Sequence, residues 1–260
     1  MHPTIQFTPN PEWSPMKELS KSIPRRQRDP NFITKYFVGE GVDIGGFPDP
    51  LSVYQEFFPL MTTCRIWDLN DGDAQFMNGV EDETFDFVVS SHCLEHLNDP
   101  ILGIGNWFRI IKPGGHLVVT IPEEDLYEQG TWPSDKNLDH KHTFTIYKEK
   151  SWSPNSINVF ELLKSLGSKA DIRKVQVEDS GYRYQLPEFD QTLTPVSESA
   201  IEFIVRKKYP NELDLMKNRT SGSKQPHPEF RRYLNQYRLD MKNMKSGNTG
   251  IQVFSDESEI

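Results

Sequence analysis

Four short stretches carry side chains whose types and spacing could do chemistry. They are Asp43-Ile44-Gly45-Gly46, Asp68 with Gly72-Asp73-Ala74 after it, Ser90-Ser91-His92 with Glu95-His96 behind it, and Asp139-His140-Lys141-His142. Adjacent glycines permit positive φ and let a ligand approach the backbone closely. The acid at Asp43 would repel a pyrophosphate but attract an amino group, and the turn lacks the G-x-G-x-x-G of a dinucleotide site. Two vicinal hydroxyls are best held by one ionised carboxylate, because both bonds are then charge-assisted. Histidine titrates near neutrality, so His92, His140 or His142 could take a proton from an acceptor hydroxyl. The pair His140 and His142 can share one side of an extended segment, which together with Asp139 and Glu123 or Asp125 invites a metal reading. An ordinary substrate-loop role is the simpler one, and no metal is assigned.

Elements must align these groups. Gly41 to Ile44, Cys64 to Leu69, Thr84 to Ser90 and His116 to Ile121 read as strands, and the run Phe85, Phe87, Val88, Val89 suits a strand buried on both faces. Between them, Asn31 to Phe37 has helical spacing, Asp49-Pro50 would cap and start a helix through Leu51, Tyr54 and Phe58, and Asn98-Asp99-Pro100 starts another with the face Ile101, Ile104, Phe108, Ile111. Lys112-Pro113-Gly114-Gly115 would stop that helix; Ser156 to Leu166 gives a further helix facing inward with Ile157, Phe160, Leu163 and Leu166; and Ala170 to Val177 and Ile201 to Val205 give the last two strands. Three residues separate Asp68 from Gly72, whereas a parallel crossover needs about a dozen, so no helix-plus-strand unit fits there. Alternating strands and helices put the chemical stretches on the carboxyl edge of an open sheet, where such sheets bind ligands.

The motifs V-D-I-G-G (42–46), G-D-A (72–74), F-D-F-V-V-S-S-H-C-L-E-H-L (85–97) and I-I-K-P-G-G-H-L-V-V-T-I-P (110–122) resemble class I S-adenosylmethionine-dependent methyltransferases, the type-11-like branch above all, over roughly residues 38–122. The resemblance implies an α/β, Rossmann-like, doubly wound and mostly parallel sheet, here with a reduced or missing third strand and a C-terminal helical extension. It implies S-adenosylmethionine as cofactor, with Asp43, Gly45 and Gly46 around its methionine part, Asp68 on the ribose, Asp73 and Ala74 at the adenine, and Ser91 beside them. Two departures stand out. Phe47 and Asp49 replace later glycines of the family's loop, and Asp71, in the shortened link, could compete with Asp68 for the ribose. D-H-K-H-T-F-T (139–145) and the loop containing Trp132-Pro133-Ser134-Asp135 resemble methyltransferases found with surface-polysaccharide enzymes, implying O-methylation of a sugar, sugar-linked or phosphorylated small molecule, with Tyr127 and Trp132 as possible pocket walls. The rival reading is a catalytically inactive cofactor-binding or scaffold protein.

The bulk properties set outer bounds. A 260-residue chain with 35% hydrophobic residues can bury a sizeable core, and a net charge of −9 disfavours nucleic acid and anionic membranes as partners. Two cysteines, Cys64 and Cys93, without Cys-x-x-Cys spacing fit a reducing, cytoplasmic setting. No apolar run approaches the roughly 20 residues of a membrane span, and prolines break the first fifteen residues, unlike a signal peptide. The expected division is an irregular, proline-rich arm over 1–30, a methyltransferase domain over 31–208, and a polar extension over 209–260. In the extension Phe230, Tyr233, Leu234, Tyr237, Met241 and Met244 form one helical stripe over about 228–245, a possible homodimer contact.

Overall fold

Runs of β-branched and aromatic residues build the central sheet: β1 (Gly39–Ile44), β2 (Met61–Trp67), β3 (Phe85–Ser91), β4 (Ile111–Pro122), β7 (Ala170–Glu178) and β8 (Ala200–Lys207). The computed structural model describes residues 18–186, 188–218, 237–239 and 241–242. The strand order is β2-β1-β3-β4-β8-β7, parallel from β2 through β4, with β8 antiparallel to both of its neighbours. This is the Rossmann-like, mostly parallel sheet that the sequence motifs imply. Strand β2 lies at the edge of the sheet, because the short link after Asp68 leaves no length for a strand outside it.

Alternate residues of the strands face two apolar layers. Val42, Ile44, Val88, Leu117 and Val119 pack with α2 (Pro100–Arg109) and α3 (Val159–Lys164). Phe87, Val89, Val118 and Ile204 pack with α1 (Glu18–Arg28) and with a π-helical turn, Phe32–Tyr36. The helix start at Asp99-Pro100 is as expected, with the Asp99 side chain accepting from Leu102 N. Its inward face differs from the expected one: Ile101 is 54% exposed while Gly103, Ile104, Trp107 and Phe108 are buried.

Three further expectations need correction. Residues 18–28 are not irregular but an α-helix with Pro24 inside it. Leu19, Ser22, Ile23 and Arg26 turn one buried face to the sheet, and that tertiary burial outweighs the proline's lost backbone bond. Lys112–Gly115 does not end a turn before the strand; it bulges within β4, whose pairing with β3 shifts between Phe85↔Ile111 and Phe87↔His116. Ser156–Asn158 is strand β6, paired in parallel with β5 (Thr143–Thr145), so α3 begins only at Val159. Asn158 caps it, and the six-residue helix buries Val159, Leu162 and Leu163 while Phe160 stays 45% exposed.

The chain divides into two units, Met1–Asp214 and Leu215–Ile260. Helix α4 (Pro210–Asn218) begins in the first. In the second, Tyr237–Leu239 and Met241–Lys242 are helical, with Tyr237 and Met241 exposed. Phe230, Tyr233, Leu234 and Met244 of the proposed stripe lie outside the described residues. Among the described residues, no helix is long and apolar enough to cross a membrane.

Candidate active site at the carboxyl edge

Strand register fixes which residues emerge together. Ile44 pairs with Trp67 and with Ser90, and Ser91 pairs with Thr120, so Gly45, Asp68 and His92 leave the sheet at the same edge. Gly45 has φ +72°, and a Cβ added there would stand 2.8 Å from Cys93 Cβ. A Cβ on Gly46 would stand 2.9 Å from Asp43 Cγ. Close approach therefore favours glycine at both positions, and at Gly45 the backbone angle does so as well. Between this turn and β3 lies a cleft of about 170 Å³ lined by Asp43, Gly45, Gly46, Asp49, Ser91 and His92, with Glu18 and Leu19 of α1 on its far wall.

The acids take distinct positions. Asp43 is 1% exposed and accepts from Leu51 N at 2.7 Å. Burial pushes its pKa up to about 7 against the opposing pull of that hydrogen bond. Asp43, not Asp49, thus caps the Leu51–Phe57 3₁₀ helix, while Asp49 accepts from Ser20 N (2.7 Å) and Tyr54 Oη (2.6 Å) and so ties α1 to the loop. Asp68 accepts from Phe47 N at 3.2 Å, which turns its carboxylate toward the glycine loop. Asp71 accepts from Asp68 N at 3.1 Å and from Arg65 at 3.0 Å, and these two donors hold its pKa below the usual range. Of the two acids, Asp68 faces the glycine loop and Asp71 faces Arg65, and neither is among the residues that line the cleft. Asp73 is exposed and accepts from Gln75 N at 2.8 Å, opening a turn that the Trp107 indole locks by donating to Ala74 O at 2.8 Å.

His92 sits in the left-handed region, φ +56°, with its N–H donated to Thr120 O at 2.9 Å. Its Nδ1 lies 3.3 Å from Glu95 Oε1 and its Nε2 lies 3.8 Å from Glu18 Oε2. Burial opposes charging of the ring, but Glu95 and Glu18 outweigh it and raise the pKa. Glu95 is fully buried, yet His92, His96 and His140 hold its pKa below the usual carboxylate range. Behind Glu95, His140 is buried with Nδ1 2.6 Å from Glu128 Oε1 and Nε2 3.9 Å from Glu95 Oε1. His142 stands apart, its Nε2 3.4 Å from Asn98 O. Of the three candidate bases, His92 alone lines the cleft.

A second cavity of about 520 Å³ opens among Asp125, Gln129, Trp152, Tyr182, Tyr184 and Gln191. Trp152 rather than Trp132 supplies its indole, donating to Asp125 at 2.9 Å. Tyr127 on the same loop packs against His140, ring centroids 5.1 Å apart. Glu123 starts this loop; burial pushes its pKa up to about 7 although it accepts from the N–H groups of Asp125 and Leu126.

Sequence reasoning missed the contribution of α1. Arg26 is fully buried and bonds Glu202 at 2.9 Å, while Arg25 reaches Glu202 (2.8 Å), Glu198 (3.0 Å) and Glu178 (3.3 Å). The signal was present in Leu19, Ile23 and Arg26, one face at i, i+4 and i+7, but the surrounding prolines masked it.

A methyltransferase-domain family model matches residues 25–167, more than half of the 260-residue chain. No curated protein matches. Similar solved structures include an S-adenosylmethionine-dependent methyltransferase from Archaeoglobus fulgidus, 16% identical, covering 73% of this chain and 94% of its own with a TM-score of 0.47. Another, from Mesorhizobium loti, is 16% identical over 72% of this chain and 98% of its own, with a TM-score of 0.46. The N-methyltransferase NodS from Bradyrhizobium japonicum is 14% identical over 74% and 97%, with a TM-score of 0.45.

Proposed function

The chain belongs to the methyltransferase-domain family, and we propose that it transfers the methyl group of S-adenosylmethionine to a hydroxyl of a small acceptor. The observation that carries this reading is the shared edge at which the Gly45-Gly46 turn, Asp68 and His92 emerge from three adjacent strands. In the proposed complex the glycine turn admits the methionine part of the cofactor. Asp68 accepts from both ribose hydroxyls, and the Asp73-Ala74 turn, braced by Trp107, meets the adenine. The cofactor supplies an electrophilic sulfonium methyl; the chain's part is to orient, exclude water and accept a proton.

His92 is the proposed base, since it lines the cleft and its ring is positioned by Glu95 and Glu18. His140, held by Glu128, would steady Glu95 from behind, and His142 has no part in the step. The aromatic and amide groups of the second cavity favour a sugar or sugar-linked acceptor, because pyranose faces stack on aromatic rings while amides and acids bond their hydroxyls. The unpaired thiols Cys64 and Cys93 accord with a cytoplasmic setting. Pairing of two chains through residues 228–245 belongs to the same proposal and is read by analytical ultracentrifugation of the full chain.

Calorimetry with S-adenosylmethionine and S-adenosylhomocysteine tests the reading directly. Binding of both, lost in Asp68→Ala and weakened in Asp73→Ala, is the expected result. Absence of binding to either would favour the scaffold reading instead.

A further inference from the structure

We propose that Glu95, His96 and His140 form a binding site for one first-row divalent metal ion, with Zn²⁺ the ion that best suits the donors. One ligand atom from each of these three residues lies within 4.8 Å of the others. Two imidazole nitrogens and one carboxylate oxygen are the donor set that zinc takes in sites keeping a position open. A tetrahedral ion with bonds of about 2.1 Å spaces its ligands by about 3.4 Å, and His140 Nε2 already stands 3.9 Å from Glu95 Oε1.

Two observations beyond the cluster itself point to a cation. First, the Glu95 side chain is fully buried and neither of its oxygens has a hydrogen-bond partner. His92 approaches Oε1 to 3.3 Å but without hydrogen-bond alignment. A buried carboxylate is costly unless it is paired or coordinates a metal, and the imidazoles of His92 and His140 approach Oε1 alone, leaving Oε2 without a partner. Second, His140 is already oriented as a metal ligand: Nδ1 is 2.6 Å from the buried Glu128 carboxylate, which fixes the tautomer that presents Nε2 toward Glu95. A carboxylate behind a ligating histidine is the recurrent arrangement in metal sites. Asp139, 3.0 Å from His96 Nδ1, stands beside the second imidazole. The donors also differ from the His140–His142 pair that the sequence suggested, since His142 turns to Asn98.

Such an ion would join the Leu94–His96 turn after β3 to the loop bearing Glu128 and His140, through a carboxylate that also faces His92. The site needs neither cofactor nor acceptor, so its test is independent of methyl transfer. The full-length chain, freed of metal with a chelator, is titrated with Zn²⁺ alone by calorimetry. One ion per chain is expected. His140→Ala should weaken it by roughly 100-fold and Glu128→Gln by roughly 10- to 100-fold, while His142→Ala leaves it unchanged. Because Glu128→Gln and His140→Ala alter buried positions, the wild-type chain is also followed by imidazole ¹H–¹⁵N NMR. There, stoichiometric Zn²⁺ should shift the ring signals of His96 and His140 and leave those of His142 in place. A wild-type chain that takes up no stoichiometric Zn²⁺, or one whose Zn²⁺ affinity survives His140→Ala in a folded variant, overturns the proposal.

Discussion

The Arg26 guanidinium and the Glu202 carboxylate meet at 2.9 Å with both side chains fully buried, joining α1 to the antiparallel strand β8. Arg25 and Lys174 reach the same carboxylate at 2.8 and 2.9 Å. Burial alone would raise the Glu202 pKa; the three cations overcome it and bring it down to about 2. Glu202→Gln leaves those cations uncompensated, and removing one partner of a buried pair costs about 3–5 kcal/mol. The depressed pKa means this stabilisation is complete above the unfolded-state value near 4.3 and is lost as pH falls toward 2. Urea denaturation between pH 7 and 3 should show a steeper acid loss in the wild type than in Glu202→Gln.

Asp43 has the opposite sign. Its folded pKa, about 7, lies above the unfolded value, so its share of stability is full below about pH 3.9 and declines as pH rises to 7. The slope is at most about 1.4 kcal/mol per pH unit. Asp43→Asn, which keeps an acceptor for Leu51 N, should therefore compare more favourably with the wild type at pH 8 than at pH 5. Equal differences at both pH values would show that Asp43 does not titrate in this window.

Gly45→Ala places a methyl group against Cys93 at a positive φ. Strain of this kind costs about 1–3 kcal/mol, and relief requires either Cys93 or the turn that lines the cleft to shift. Thermal unfolding should report the stability loss, and calorimetry a fall in S-adenosylhomocysteine affinity larger than that of Gly79→Ala, whose site has positive φ but open space.

Asp68 and Asp71 are separable by mutation. Hydrogen bonds to a charged group are worth about 1.5–3 kcal/mol, so Asp68→Ala should weaken S-adenosylhomocysteine by roughly 10- to 100-fold. Asp71→Ala loses exposed contacts to Arg65 and to Asp68 N and should change affinity by less than about threefold. The reverse order would move the ribose contact to Asp71.

His92→Ala should lower kcat by about 10²–10⁴ with little change in cofactor affinity, as loss of a general base does. Retention of full turnover would take His92 out of the reaction.

Local signals in the sequence determined much of this protein. Asp43-Ile44-Gly45-Gly46, the apolar run of β3 and the Asp99-Pro100 helix start are decided by φ preferences, period and capping within a few residues, and each occurs where those rules put it. The three residues between Asp68 and Gly72 likewise excluded a strand by length alone. What only the tertiary structure decided depends on partners far apart in the chain. Arg26 finds Glu202 across 176 residues, which turns a proline-rich stretch into a helix over the cleft. Glu95 faces His140 because the loop after β4 folds back beneath β3's exit. Neither pairing has a local signature, since buried charges are chosen by what the packed sheet and helices bring within a few ångströms, not by spacing along the chain.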